Sequence, residues 1–350
     1  MFNIEEILNK AAQAGASDIH LTAGISPRMR VNGELISLSD HCLEDEDIAR
    51  MAREMMKEEQ VRHFEEWGEL DMAFSLRGKE RYRVNVFRQQ GTTAMALRPV
   101  TAQVPSPETL GIPASIIDLY QRKRGLVLVT GPTGSGKSTT LAALIDKVNS
   151  CRAAHVITLE DPIEYLHVHK MSIVHQREIG QDTRSYADAL RAALREDPDV
   201  ILVGEMRDYE TISVAVTAAE TGHLVLSTLH TIGAASTVDR VIDVFPPHQQ
   251  QQIRVQLANV LEAVISQQLI PGADGRGRIA AFEVLHANPA IRNLIREGKT
   301  HQIPSMMQTG RKFGMITMDE AITQLAREGR ITRQMAIEFA QNPEAMGSMI

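Results

Sequence analysis

Apolar residues at Ile4, Ile7, Leu8 and Ala11 recur at helical spacing and predict a first helix ending at Gly15. Asp18–Thr22 and Arg28–Val31 read as short strands, and Val31-Asn32-Gly33-Glu34 is a hairpin turn signal. Residues 44–67 carry a helical pattern, while Asp71–Leu76, Tyr82–Gln89 and Thr93–Arg98 alternate as strands. The first hundred residues therefore predict a small α+β domain. Residues 99–113 hold four prolines and no periodicity, which predicts a linker rather than a buried element. From Arg124 the pattern changes to near-continuous apolar strands, Leu126–Thr130, His155–Leu159, Val200–Val203 and Leu224–Thr228, with helices between them. Strands apolar on both faces predict a parallel α/β sheet. After about Pro289 only helical patterns remain. The expected organisation is a domain over 1–98, a linker over 99–113, an α/β domain over 114–288 and a helical region over 289–350.

Composition narrows the function classes. A chain of 350 residues suits two domains and an appendage. The 37 basic residues against 44 acidic ones give a net charge of −7, which argues against a nucleic-acid coat or a polybasic membrane anchor. Only 4% of residues are aromatic, few for base stacking. Cys42 and Cys151 lie far apart and in no metal-ligand spacing, as expected in a reducing compartment. The N-terminal segment is too acidic and broken for a signal peptide, and no apolar stretch approaches the roughly 20 residues a membrane helix requires. The expectation is a cytoplasmic protein without direct membrane insertion.

The candidate chemistry starts at Gly131-Pro132-Thr133-Gly134-Ser135-Gly136-Lys137-Ser138, which fits G-x-x-x-x-G-K-[ST] with a strand before it and a helix from Thr139 after it. Glycines there let backbone N–H groups turn inward around phosphate oxygens, and the helix N-terminus adds partial positive charge. Lys137 would reach the β- and γ-phosphates of ATP, and the Ser138 hydroxyl would ligate Mg²⁺. Asp199–Val203 is a hydrophobic strand leading to Glu205, with Gly204 where an aspartate is common; Glu205 must then serve the metal, directly or through water. Another strand delivers Glu160-Asp161-Pro162-Ile163-Glu164, a carboxylate cluster that repels itself unless a cation or phosphate chemistry uses it. Either Glu160 or Glu164 would orient the attacking water, with Glu164 preferred. His223 and His230 bracket one strand and would sense the γ-phosphate or link neighbouring carboxylates. Arg77, Lys79, Arg81, Arg83, Arg88 and Arg98 form a basic run that is either a solvated edge or a source of arginine fingers. The arginines expected in that role are Arg81, Arg83 and Arg98.

In order, GPTGSGKST, ITLEDPIE, DVILVGEMRD and TGHLVLSTLHT resemble the motifs of the secretion-superfamily ATPases that drive type II and type IV secretion and type IV pili. Ala16–Leu21 is similar too, so the resemblance covers essentially the whole chain. Ala290–Glu297 (AIRNLIRE) and the lack of a tetracysteine module resemble the pilus-retraction branch. The resemblance implies a PAS-like N-terminal domain and a RecA-like C-terminal domain assembled into a homohexameric ring. It implies ATP with Mg²⁺ bound between the domains, arginines supplied from the N-terminal domain, and docking beneath an inner-membrane pilus platform protein. Residues 290–297 would serve retraction rather than hydrolysis. Three other readings remain: an accessory ATPase, a pilus-assembly or type II secretion ATPase, and, least compatible with the composition, a nucleic-acid motor.

Overall fold

The computed structural model describes residues 3–31, 33–76, 80–100, 104–275 and 277–350. Asn32 of the expected hairpin turn, and Arg77 and Lys79 of the basic run, lie outside the described residues. The chain forms two compact units, Met1–Gln103 with Glu164–Leu166, and Val104–Ile163 with His167–Ile350.

In the first unit, helix α1 (Ile4–Gln13) is started by Asn3, whose side chain accepts from the Glu5 N–H at 2.9 Å. Its buried face is the apolar stripe Ile4, Ile7, Leu8 and Ala11. Strands β1 (Asp18–Thr22), β2 (Arg28–Val31) and β3 (Glu34–Ser37) follow, then helices α2 (Asp45–Met55) and α3 (Glu58–Trp67), then β4 (Glu69–Leu76), β5 (Glu80–Gln89) and β6 (Thr92–Val100). The 44–67 pattern is thus two helices, because Met56 and Lys57 turn extended and the Gln60 side chain caps the second by accepting from the Lys57 N–H at 2.9 Å. The sheet order is β3-β2-β1-β6-β5-β4, antiparallel throughout. One face of the sheet packs Ile19, Leu21, Tyr82, Val84, Val86, Met95 and Leu97 against the helices.

The second unit runs α4 (Ala114–Ile117), β7 (Gly125–Thr130), α5 (Lys137–Cys151), β8 (His155–Glu160), β9 (Ile173–Glu178), α6 (Tyr186–Ala193), β10 (Val200–Val203), α7 (Tyr209–Glu220), β11 (Leu224–Leu229), α8 (Ala234–Asp243), α9 (Pro247–Val260), β12 (Leu261–Pro271) and β13 (Arg278–His286). The helices α10 (Pro289–Arg296), α11 (Ile303–Thr309), α12 (Met318–Arg327), α13 (Arg333–Phe339) and α14 (Pro343–Met349) complete it. Its sheet order is β13-β12-β7-β11-β10-β8-β9. Every pair is parallel except β12 with β13. Buried strands β7, β10 and β11 have apolar clusters on both faces, which is why their sequences are unbroken hydrophobic runs. The parallel sheet expected from those runs is present, and it ends in an antiparallel edge hairpin whose first strand carries Ser266, Gln267 and Gln268 within it. No helix among the described residues is long and apolar enough to cross a membrane.

The proline-rich segment is also corrected. Pro99 and Val100 finish β6, while Ile112 is buried and Val104 and Leu110 pack on the same core as Val127, Leu144 and Ile265. Its prolines limit regular structure to the end of β6 but do not prevent burial, since apolar residues between them find the outer surface of a core. Truncating Ile112 to alanine should therefore cost about 2–4 kcal/mol of unfolding free energy, read by urea denaturation; a bare linker would give no change.

Candidate functional site

The parallel register aligns the strand ends. Thr130 of β7 pairs with Leu229 of β11 and Ser266 of β12, and Val203 of β10 pairs with Leu159 of β8 and Ser227 of β11. Gly131, Glu160, Glu205, His230 and Gln267 consequently all lie at or just beyond the C-terminal edge, where α/β sheets place ligands. The loop from Gly131 to Gly136 leads straight into α5 at Lys137, with Ser138 and Thr139 in its first turn. Gly136 is the cap, at φ 88, a left-handed conformation that suits glycine. The first amides of α5 have no partner within the helix, so they present N–H groups at the loop.

Gln267 of β12 crowds two of the loop's glycines, through its backbone at Gly131 and through its side chain at Gly136. A Cβ on Gly131 would lie 2.3 Å from the Gln267 carbonyl oxygen, and one on Gly136 would lie 2.8 Å from Gln267 Nε2. Gln267, buried on β12, also accepts from Thr140 Oγ1 at 2.7 Å. Lys137 Nζ donates to the carbonyls of Gly131 (2.9 Å) and Pro132 (3.0 Å), which holds the ammonium inside the curve of the loop. Ser135 Oγ is buried with no hydrogen-bond partner among the described residues, a hydroxyl that a phosphate oxygen would satisfy. Pro132, Thr133 and Gly134 are exposed along the rim.

Glu205 follows β10, and its Oε1 receives both Arg207 Nε at 2.5 Å and His230 Nε2 at 3.0 Å. Burial opposes its charge, but the Arg207 hydrogen bond and the His230 and Arg207 charges outweigh that and hold the carboxyl below the ordinary glutamate value. The sign is that of a depressed acid: the stabilisation is complete above the ordinary carboxylate range and is lost as pH falls through the lowered value. Glu205 is therefore ionised at any pH near neutral. Glu160 Oε1 accepts from Thr158 Oγ1 at 2.6 Å and Gln176 Nε2 at 3.1 Å. Glu164 is an exposed side chain in the short segment grouped with the first unit.

Gly204 explains the missing aspartate. A Cβ there would meet the Tyr186 hydroxyl at 2.8 Å, the Leu159 carbonyl at 3.1 Å and Glu160 Cα at 3.4 Å. Burial, and then the charges of Asp161, Glu205 and Glu160, push the Tyr186 hydroxyl well above its ordinary pKa, so it stays a neutral donor among carboxylates.

His223 requires a correction. It sits at the opposite end of β11 from His230, about 20 Å away at the rise of a strand, and its Nδ1 lies 2.9 Å from the Ala218 carbonyl. It does not reach the phosphate end of its own sheet; alternation of polar residues along a sequence carries no information on which end of a strand faces a ligand. In the first unit, Arg81 and Arg83 share one face of β5, and Arg83 lies directly opposite Arg98 on β6. Arg83 and Arg98 line a shallow cleft of about 200 Å³ with Asp18, Asp71 and Asn85. Arg98 donates twice to Asp18 Oδ1, at 2.9 and 2.6 Å. Arg88 lies instead over the Phe64 ring, 5.6 Å from its centroid.

Four residues at the second unit's site escaped the sequence reading: Tyr186, Arg207, Ser266 and Gln267. Arg207 left a signal, a cation two residues past Glu205, whereas the others act from elements whose sequences look like ordinary helix and strand.

The family described as Type II/IV secretion system protein matches residues 2–338. The chain belongs to that family. Among relatives, it is 48% identical over 342 residues to the "Type IV pilus retractation ATPase PilT" of Pseudomonas aeruginosa, covering 98% of this chain and 99% of the other. It is 49% identical over 321 residues to the "Twitching motility protein" of Neisseria gonorrhoeae, covering 92% and 86%. The crystal structure of the pilus retraction motor PilT with bound ADP matches at 49% identity, a TM-score of 0.92 and 99% coverage of both chains. The family's two-unit fold, a PAS-like α+β unit and a RecA-like P-loop unit with a helical tail, is the one seen here.

The packing at Gly204 is directly testable. Gly204→Ala should cost about 1–3 kcal/mol of stability in chemical denaturation, and adding Tyr186→Phe, which removes the crowding oxygen, should recover most of the loss.

Proposed function

We propose that this protein is an ATP-hydrolysing motor that powers type IV pilus retraction. The observation that carries the reading is likeness over nearly the whole chain to retraction ATPases, together with a phosphate loop shaped by Gln267. The chain binds ATP through Gly131–Thr139: the amides of the loop and of the start of α5 take the phosphate oxygens, Ser135 Oγ takes one more, and Lys137 exchanges loop carbonyls for the β- and γ-phosphates. Ser138 and Glu205 would hold Mg²⁺, the latter directly or through water; an oxygen-only donor set suits that ion. When bound, Mg²⁺ neutralises charge developing on the phosphate oxygens.

Glu164 is the residue assigned to orienting the attacking water. Its side chain is exposed, whereas Glu160 is already an acceptor for Thr158 and Gln176. His230 links Glu205 to the end of β11, so a change at the γ-phosphate is felt by two strands. Arg81, Arg83 and Arg98 form one basic strip in the first unit and are the candidates for stabilising the transferring phosphoryl group, Arg98 after leaving Asp18. Residues 1–98 and 114–288 are read as the two domains of the motor, and residues 290–297 as serving retraction rather than hydrolysis. The working form is a cytoplasmic homohexamer docked under an inner-membrane pilus platform protein, without nucleic acid and without inserting into the membrane.

Lys137→Ala should lower steady-state ATP turnover by roughly 10²–10³-fold; turnover that survives the substitution refutes the motor. Glu164→Gln should keep nucleotide binding and lose hydrolysis, measured by fluorescent-nucleotide titration beside phosphate release. Deleting the gene should leave cells with surplus surface pili and no twitching; cells without pili would indicate an assembly motor instead.

A further inference from the structure

A buried carboxylate outside the motifs joins the nucleotide site to the C-terminal helices. Glu283, on β13 and 4% exposed, accepts from the Ala234 N–H through Oε1 at 2.6 Å and from the Met318 N–H through Oε2 at 3.0 Å. Ala234 is the first residue of α8 and Met318 the first of α12, so one carboxylate closes the N-termini of two helices. Each helix end contributes partial positive charge and an amide with no intrahelical partner, which together compensate a buried anion. Burial pushes this carboxyl above its ordinary value, and the two amides work against that shift.

Both ends of the link lead somewhere. On the α8 side, Gly233 N–H donates to Ser266 Oγ at 3.0 Å, and Ser266 Oγ lies 2.7 Å from Thr130 Oγ1, the residue before Gly131. The three residues between β11 and Gly233 begin with His230, the partner of Glu205. Ser266 and Glu283 are themselves directly paired across β12 and β13. On the α12 side, Asp319 accepts from the N–H groups of Gln341 (2.7 Å) and Asn342 (3.1 Å), tying α12 to the α13–α14 connection. An unbroken series of hydrogen bonds and adjacent residues therefore runs from the foot of the phosphate loop to the last helices of the chain.

We propose that Glu283 is a positioning residue for the nucleotide site: its carboxylate sets the start of α8, and with it His230, against the start of α12, so that nucleotide occupancy is transmitted to the C-terminal helices. The inference deepens the motor reading and rests on it. The function needs a carboxylate. Glutamine fills the same volume but offers one acceptor and one donor, so its NH₂ faces a helix N–H and one of the two helices loses its partner.

Glu283→Gln decides the matter by amide hydrogen exchange with ADP and Mg²⁺ on the full chain. In the unsubstituted protein ADP should slow exchange both in residues 131–140 and in α12. In the variant the first protection should remain and the second disappear. In turnover, kcat should fall about 10-fold with KM for ATP within about twofold, and adding Glu283→Gln to His230→Ala should lower kcat no further than His230→Ala alone. The proposal is overturned if ADP leaves α12 unchanged in the unsubstituted protein, if the variant keeps the α12 response, or if the two kcat losses multiply. Should Glu283→Gln fail to fold, Ser266→Ala interrupts the series at its other end; loss of the α12 response supports the proposal and its retention refutes it. A protein that binds ADP but never turns over ATP would end the motor reading, yet the exchange comparison would still judge Glu283.

Discussion

The pairing of β12 with β7 is the constraint on which the site depends. It brings the Gln267 backbone so close to the glycine loop that Gly131 cannot carry a side chain, while Gly136 is demanded by its left-handed φ. The loop is therefore shaped from outside as well as by its own sequence. Its glycines permit the turn, and the neighbouring strand imposes it. Because the same register brings the ends of β8, β10 and β11 level with the loop, carboxylates and a histidine from those strands arrive at one edge.

Electrostatics at that edge follows from crowding of like charge. Asp161, Glu205 and Glu160 all act on Tyr186 and add to the effect of its burial. Arg207 and His230 meet Glu205 on a single oxygen, and Thr158 and Gln176 both donate to Glu160. The result is an acidic edge on which Glu205 is kept ionised by its two donors, suited to a metal–phosphate complex. Exposed pairs contribute little stability on their own; here the geometry matters more than the energy.

The helical tail is also tied to this edge. Glu283 shows how a fold can make a buried acid useful, by setting it where two helices begin. A second carboxylate, Asp319, one residue into α12, receives two backbone amides from the α13–α14 connection. Hydrogen bonds to charged groups of this kind are among the stronger ones available to a protein.

Much of this was legible in the residues alone. The phosphate loop, the strand leading to Glu205, the acidic segment and the change from alternating to continuous apolar runs are local patterns, and local patterns survive in one dimension. Strands of the N-terminal unit were readable for the same reason, since one solvated face leaves an alternation. What the chain did not disclose by itself was which residues meet across it. Ser266 and Gln267 interrupt an apolar strand and look like noise until β12 lies beside β7; Gly204 looks like a lost aspartate until Tyr186 fills its space; His223 and His230 look equivalent until the sheet direction separates them. Ile112, in a proline-rich stretch, proved to be core because burial depends on neighbours in space. Sequence determined the elements and the chemistry they carry, through propensity and spacing. Tertiary structure alone decided which of those groups share a site, because register and close packing are properties of pairs of segments far apart along the chain.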